Sequence, residues 1–287
     1  MKSHKIASLS LATLLLGIQP LWDFTAAECF CMQKFSLQEQ TFVHPWKGKR
    51  VAFLGDSITD KCRIGTEKCY WEYLAEWLNI NPLVYAINGR QWDDIPRQAS
   101  QLKEEIGNEV DAIIIFIGTN DYNAGIPLGE WWSIETKRVE EAHGEPKQTV
   151  ERAHRVFNKD NTFKGRINQG LCTLKKLYPD KQIVLLTPIH RAFATFGDNN
   201  IQPDENYMNV CGHFIDDYIN AIKEAGNLWA MPVIDLNSLS GLYPLEDGQT
   251  HYFHNERTDR LHPGKEGHKR IAKTLLYQLV SLPCVFD

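Results

Sequence analysis

The sequence predicts a doubly wound α/β domain, in which helices cover both faces of a parallel β-sheet. Its short apolar runs are continuous rather than alternating, as in strands that are buried on both faces. The segments between them carry apolar residues at helical spacing, and the two types alternate along the chain, which favours right-handed crossovers. The 287 residues, of which 43% are hydrophobic and 23% charged, exclude a disordered, low-complexity or collagenous protein.

Five runs are predicted as strands, and five segments as helices that each present one apolar face. The strands are Val51–Leu54, Val84–Ile87, Ala112–Ile117, Ile183–Leu186 and Val233–Leu236. The helical faces are Tyr70/Leu74/Trp77/Leu78, Ile95/Ala99/Leu102/Ile106, Ile167/Leu171/Leu174/Tyr178, Phe214/Tyr218/Ile222 and Ile271/Leu275/Leu279.

Two connections are too long to be simple turns. One is an insertion at about residues 122–162 after the third strand, and the other runs from His190 to Asn209 after the fourth. Loops of this length usually carry function or local structure of their own. The charged stretch from Glu135 to Arg155 predicts a solvated insertion, either a helix or a hairpin.

Polar residues follow the predicted strands where the carboxyl ends of a parallel sheet meet, the edge at which such sheets bind ligands. Ser57 and Gly89 follow the first and second strands, Asn120 follows the third, and Asp259 and His262 precede the last helix. Each alone is a weak signal, because Asp, Ser, Asn and Gly are common in turns. Together they supply a nucleophile, backbone and amide N–H donors, an orienting acid and a base.

Four short segments that contain these residues resemble the sequence blocks of the SGNH (GDSL-type) hydrolases. They are Gly55-Asp56-Ser57-Ile58-Thr59, Gly89, Gly118-Thr119-Asn120-Asp121 and Asp259-Arg260-Leu261-His262. Family members often have Leu where Ile58 stands. The resemblance implies a flavodoxin-like three-layer α/β/α sandwich with strand order 2-1-3-4-5, and the hydrolysis of acyl esters without a cofactor.

The resemblance also implies a role for each residue. Ser57 would be the nucleophile, His262 the general base and acid, and Asp259 the residue that orients His262. The oxyanion hole would consist of the Ser57 and Gly89 backbone N–H groups and the Asn120 side-chain amide. Asp56 and Asp121 are interpreted as structural.

Three tryptophans are candidates for substrate binding, because their positions in the chain predict that they border the same crevice. Trp92 follows Gly89, and Trp131 and Trp132 lie early in the insertion. Their rings would stack on a sugar or cover an acyl chain, or else they pack the insertion onto the domain. The first possibility favours an acetylated carbohydrate as the substrate.

Other functions remain as alternatives. A lipase or lysophospholipase would use the same chemistry, whereas a glycan-binding module on this fold would not need all three of Ser57, Asp259 and His262. A flavodoxin-like cofactor protein is disfavoured because the turn after the first strand has only one glycine and offers no glycine-rich phosphate cradle. The net charge of −5 also argues against nucleic-acid binding.

The N-terminus predicts export. Lys2 and Lys5 precede an apolar stretch, Ile6–Ile18, that is too short to cross a bilayer. Thr25-Ala26-Ala27 resembles a cleavage site, so residues 1–27 are predicted to be a signal peptide and residues 28–50 a lead-in to the hydrolase domain at 51–287. Lipid anchoring at Cys29 is disfavoured by Glu28 before it.

Cysteine and histidine spacings add no metal site. The seven cysteines match no zinc pattern, and export would permit a local disulfide between Cys62 and Cys69. His251 and His254 are three residues apart in a polar segment, which we interpret as surface rather than as a metal site.

Overall fold

The computed structural model describes residues 42–282 and residue 286. The predicted signal peptide at residues 1–27 and most of the predicted lead-in segment lie outside the described residues. Within residues 42–282, no helix has the length and apolar character needed to cross a bilayer.

A five-stranded parallel sheet forms the centre of the fold, as the sequence predicts. Its strands are β1 (Arg50–Gly55), β2 (Asn81–Val84), β3 (Ala112–Phe116), β6 (Gln182–Leu186) and β9 (Val233–Ile234). They lie in the order β2-β1-β3-β6-β9, which is the expected 2-1-3-4-5 order of the central strands. The remaining strands are β4 (Trp132–Glu141), β5 (Gln148–Phe157), β7 (Ala194–Thr195), β8 (Ile201–Gln202), β10 (Phe253–Asn255) and β11 (Asp259–Pro263).

Helices pack on both faces of this sheet. They are α1 (Tyr70–Leu78), α2 (Ile95–Ile106), α3 (Thr119–Asn123), α4 (Phe163–Leu177), α5 (Ile215–Trp229), α6 (Leu236–Leu239) and α7 (Lys265–Ser281). Two 3₁₀ turns occupy Trp92–Asp94 and Asp247–Tyr252.

Alternation along the strands produces two cores, one on each face. In β1, Ala52 and Leu54 belong to the core that contains residues of α2, α4 and α5. Val51 and Phe53 belong to the core that contains residues of α1 and α7. Successive side chains of a strand point to opposite faces, so an uninterrupted apolar run fills both cores. This confirms the three-layer α/β/α sandwich.

The edge strand β2 begins three residues earlier than predicted. Asn81 and Pro82 pair with β1, and a proline is compatible with an edge strand, where one side needs no backbone donor. Hydrogen bonds from the Tyr85 and Ile87 N–H groups to β1 continue beyond Val84, so the predicted run Val84–Ile87 follows the same edge.

The insertion forms a hairpin rather than a helix. Strands β4 and β5 pair antiparallel over ten residues, from Trp132↔Phe157 to Glu141↔Gln148, and most of their side chains are exposed. A second, smaller sheet is antiparallel and has the strand order β10-β11-β7-β8. It was not predicted, and it carries Asp259 and His262 on β11.

Candidate active site

A continuous hydrogen-bonded chain joins Ser57, His262 and Asp259. The Ser57 Oγ lies 2.9 Å from His262 Nε2, and His262 Nδ1 lies 2.9 Å from Asp259 Oδ2. A carboxylate only accepts hydrogen bonds, so the proton belongs on Nδ1 and Nε2 is free to accept the Ser57 proton. All three residues are less than 5% exposed. The arrangement can activate a serine hydroxyl as a nucleophile.

Strand β1 and a tight turn place Ser57. The Asp56 carbonyl accepts hydrogen bonds from the Thr59 and Asp60 N–H groups, so one helical turn follows the strand, and the regular helix α1 begins only at Tyr70. Gly55 is required by close approach, since a Cβ there would lie 2.3 Å from the Phe116 carbonyl oxygen of β3.

Strand β11 places the acid and the base. Asp259 Oδ1 accepts hydrogen bonds from the Leu261 and His262 N–H groups at 3.1 and 3.0 Å. Its other oxygen, Oδ2, accepts from the His262 ring. Burial opposes ionisation of Asp259, but the hydrogen bonds and charge of His262 outweigh it and hold the pKa of Asp259 below its usual range. Asp259 is therefore an anion that can stabilise a charged His262.

Three candidate oxyanion donors lie on the segments that follow β1, β2 and β3. Among the described residues, the Ser57 and Gly89 N–H groups have no hydrogen-bond acceptor. Gly89 has φ +75° with open space around it, a backbone conformation that favours glycine. The Asn120 side-chain amide donates to the Arg90 carbonyl at 3.0 Å, which fixes the amide beside Gly89 and leaves its second N–H available.

Asp60 connects the nucleophile loop to the Gly89 loop. Its Oδ2 accepts from the Asn88 N–H at 2.7 Å, and its Oδ1 accepts from the Cys62 N–H at 2.8 Å. The carboxylate therefore fixes the peptide immediately before Gly89 relative to the turn that carries Ser57.

A buried polar network supports the Gly89 turn and helix α3, which carries Asn120. Arg166 of α4 donates from Nη1 to Gln91 Oε1 at 2.7 Å and to Asp121 Oδ1 at 3.2 Å. Gln91 donates to the Asn120 carbonyl, and the Trp92 N–H donates to Asp121. Asp121 is thus structural, as interpreted from the sequence, although burial raises its pKa to about 7 against these contacts.

Two of the three candidate tryptophans are buried in the core. Trp92 is 1% exposed and Trp131 is 6% exposed, both in the core beneath α2, α4 and α5. Trp131 also donates from Nε1 to Glu224 at 2.7 Å. Neither ring presents a face on which a sugar could stack, so the expectation that these two bind substrate is wrong. Trp132 packs against Phe157 and Arg155 of the hairpin and, with Trp131, against the core, so these two attach the insertion; binding of substrate by Trp132 stays a prediction.

An aromatic ring that the sequence reading missed stands beside the base. The centroid of the Phe196 ring lies 5.5 Å from that of His262, and Phe196 is 44% exposed. It belongs to the long connection after β6, in the turn between β7 and β8, and β7 pairs with β11 through Ala194 and Asp259. Only the length of that connection signalled a role.

His254 makes a contact with Asp259 that the sequence did not predict. Its Nδ1 lies 2.9 Å from Asp259 Oδ2, the same oxygen that His262 contacts. His251 makes a ring contact with Tyr252 instead. In the part of the chain that the structure describes, no group of three or more His, Cys, Asp or Glu side chains could hold a metal ion.

The local cysteine pair does not form. Cys62 and Cys69 are both free thiols, and Cys69 is buried with its Sγ directed at the Asp60 carbonyl. The sequence permits this pair without predicting any disulfide, and in the structure the two thiols are not joined.

Comparison with known proteins gave matches to a family model and to solved structures. The model of the GDSL-like lipase/acylhydrolase family matches residues 53–270. Among solved structures, a protein from Lactobacillus plantarum is 25% identical, with a TM-score of 0.61 over 82% of this chain and 98% of that one. A possible lipase from Chitinophaga pinensis DSM 2588 is 20% identical, with a TM-score of 0.57 over 80% and 97%, and shows the shared fold. A comparison with curated protein sequences found no match.

Proposed function

Because the chain belongs to the GDSL-like lipase/acylhydrolase family, we propose that it is a serine esterase that forms an acyl-enzyme on Ser57. The observation that carries the proposal is the hydrogen-bonded chain from Ser57 Oγ through His262 to Asp259, with 2.9 Å at each of its two links.

The steps follow from the direction of these hydrogen bonds. His262 Nε2 takes the Ser57 proton while Oγ attacks the ester carbonyl, and the imidazolium that forms is stabilised by Asp259. The tetrahedral intermediate collapses when the C–O bond to the alcohol breaks and His262 returns the proton to that alcohol. Water, deprotonated by the same nitrogen, then attacks the acyl-enzyme and releases the acid and free Ser57.

The negative charge on the carbonyl oxygen needs fixed donors. The unpaired N–H groups of Ser57 and Gly89, together with the second amide N–H of Asn120, supply them without reorganisation during the reaction. Arg166, Gln91 and Asp60 hold the loops that carry these donors.

The position of Phe196 supports an ester substrate whose alcohol part has a flat apolar face. His262 delivers a proton to the departing alcohol, so that group must lie close to the imidazole ring. A half-exposed aromatic ring in this position favours stacking on a sugar, and we propose a short-chain acyl ester, an acetyl ester of a carbohydrate, as the substrate. Phe196→Ala is then expected to raise KM for an acetylated sugar several-fold and to leave KM for ethyl acetate unchanged. Equal changes for both esters would contradict this substrate.

The first test is hydrolysis of a p-nitrophenyl ester series from acetyl to palmitoyl, with Ser57→Ala beside the wild type. The proposal expects activity on short chains and its loss in the variant. Activity that rises with chain length would favour the lipase alternative. A folded wild type that is inactive on every ester, acetylated sugars included, would instead favour a glycan-binding module.

The proposal includes export after removal of residues 1–27. The apolar stretch Ile6–Ile18 and the small residues Thr25-Ala26-Ala27 support it. N-terminal sequencing of the protein recovered outside the cytoplasm should give Glu28 as its first residue. An intact Met1 would contradict the proposed cleavage.

A further inference from the structure

One carboxylate oxygen in the site serves two histidines. Asp259 Oδ2 lies 2.9 Å from the Nδ1 atoms of both His262 and His254. Because the carboxylate can only accept, both rings donate an N–H to the same oxygen. The His262 side chain is 5% exposed, whereas that of His254 is 52% exposed, so the second histidine connects the buried acid to solvent.

The backbone is built to bring the two histidines together. Strands β10 and β11 pair at Phe253↔Pro263 and Asn255↔Asp259, with a register shift between these pairs. His254 alone therefore faces the three residues between Asp259 and Pro263. Irregular pairing of this kind re-aims side chains and is common beside active sites.

The backbone of Gly65 lies against both histidine side chains. A Cβ at this position would lie 2.9 Å from His262 Cβ and 3.0 Å from His254 Cβ. Both histidines are therefore packed against the same peptide, which limits how far either ring can move away from Asp259.

We propose that His254 is a positioning residue that holds Asp259 and divides its charge between two imidazoles. The inference rests on the proposed esterase function. An N–H from His254 takes up part of the negative charge on Oδ2, so less of it remains to stabilise the imidazolium of His262. It also fixes the carboxylate, which keeps His262 aligned with Ser57.

Several charged groups surround His254 in the groove that it borders. Arg63 and Glu67 face it from the loop after β1, His251 from the 3₁₀ turn, and Lys265 and Glu266 from α7. On the buried side, His268 of α7 interacts electrostatically with His262, but burial lowers the pKa of His268 to about 3, so it stays neutral. Asp259 contacts His254 directly.

The test compares His254→Phe, which removes the donor, with His254→Asn, which keeps an N–H near the position of Nδ1. His254→Phe is expected to lower kcat about 3- to 10-fold with KM unchanged, the effect of one hydrogen bond. It should also move the acidic limb of the pH–rate profile upward by about 0.5 pH unit, because Asp259 then acts on His262 alone. His254→Asn should restore most of both effects.

His251→Phe is the matched control, since it removes a neighbouring exposed histidine that does not contact Asp259. If His254→Phe does not fold, His254→Ala replaces it, because the side chain is half exposed. A fall in kcat without a shift of the acidic limb would show a merely structural role and overturn the proposal, and so would unchanged kinetics.

A readout independent of catalysis separates this inference from the proposed function. NMR titration of ¹⁵N-histidine-labelled protein follows the His262 ring in the wild type and in His254→Phe. An upward shift of its titration midpoint in the variant supports the coupling even if no ester is hydrolysed. An identical midpoint would overturn the coupling even in an active esterase.

Discussion

At the scale of single residues, the site depends on atoms left without partners. The Ser57 and Gly89 N–H groups and one N–H of Asn120 are unused among the described residues, although the loops around them are well connected. Ser57 is buried, where an unpaired N–H costs stability, whereas Gly89 is exposed and its N–H can bind water. Under the proposed function, these donors would serve the charge that develops on the carbonyl oxygen.

Asn120→Ala tests that explanation. The variant should fold, because the lost contact to the Arg90 carbonyl lies at the surface. Its kcat should fall by about 10²–10³-fold, the usual effect of losing one oxyanion donor, with a smaller change in KM. Steady-state kinetics on p-nitrophenyl acetate check this, with circular dichroism as the control for folding. Turnover near that of the wild type would remove Asn120 from the oxyanion hole.

Asp56 makes stability depend on pH. Burial raises its pKa from 3.8 to about 7, so between these values the folded protein binds a proton that the unfolded chain has released. Stability should therefore fall as the pH rises from about 4 to 7, by up to about 1.4 kcal/mol per pH unit from this group.

Asp56→Asn should remove this contribution. The amide oxygen can still accept from the Ile58 N–H, as Asp56 Oδ1 does at 3.1 Å. Urea unfolding at several pH values should show a variant that gains stability relative to the wild type as the pH rises. Parallel stability curves for the two proteins would mean that Asp56 does not titrate in this range.

At the scale of elements, helix α4 supports the two segments that carry Gly89 and Asn120. Arg166 of α4 contacts Gln91 and Asp121, and its side chain and that of Asp121 are 6% and 0% exposed. Removing one partner of a buried ion pair leaves the other without compensation. The helix therefore stabilises the site as well as the core.

Arg166→Met should cost about 3–5 kcal/mol of unfolding free energy at pH 8. The cost should be smaller at pH 5, where Asp121, with its pKa raised to about 7, can take up a proton. Arg97→Met is the matched control, because it breaks the more exposed pair with Asp94 and should cost about 1 kcal/mol or less. Equal losses in the two variants would contradict the supporting role of Arg166.

The elements also show where the sequence was informative. Strands such as Ala112–Phe116 and Ile183–Leu186 were predictable because burial on both faces requires a continuous apolar run. Ser57 was predictable because its block follows a strand end, and Asp259 and His262 because their block directly precedes the last helix. Trp92 and Trp131 were misplaced because position in the chain places a residue near the site without determining which way its ring points. The contact between His254 and Asp259 was not predicted because it depends on an irregular pairing of β10 and β11.

At the scale of the whole molecule, the sandwich is complete without the outer part of the insertion. The hairpin is held at its base, where Trp131 belongs to the core and Trp132 packs against Phe157. Beyond Ile134 its side chains are mostly exposed, and the ion pairs there, such as Arg152 with Glu141, are of the surface kind that contributes little.

Replacing residues 138–151 by a short turn built around Asn-Gly should therefore leave the domain intact. Lys137 and Arg152 are directly opposite in the hairpin, so a tight turn can join them. The melting temperature should change by no more than about 4 °C, since about 1 kcal/mol of surface interactions is at stake. Hydrolysis of p-nitrophenyl acetate should keep the kcat of the full chain, because all three residues of the hydrogen-bonded chain lie outside the hairpin. A selective rise in KM for acetylated sugars would show that the hairpin tip contacts large substrates, whereas a large loss of stability would show that the insertion is part of the folding unit.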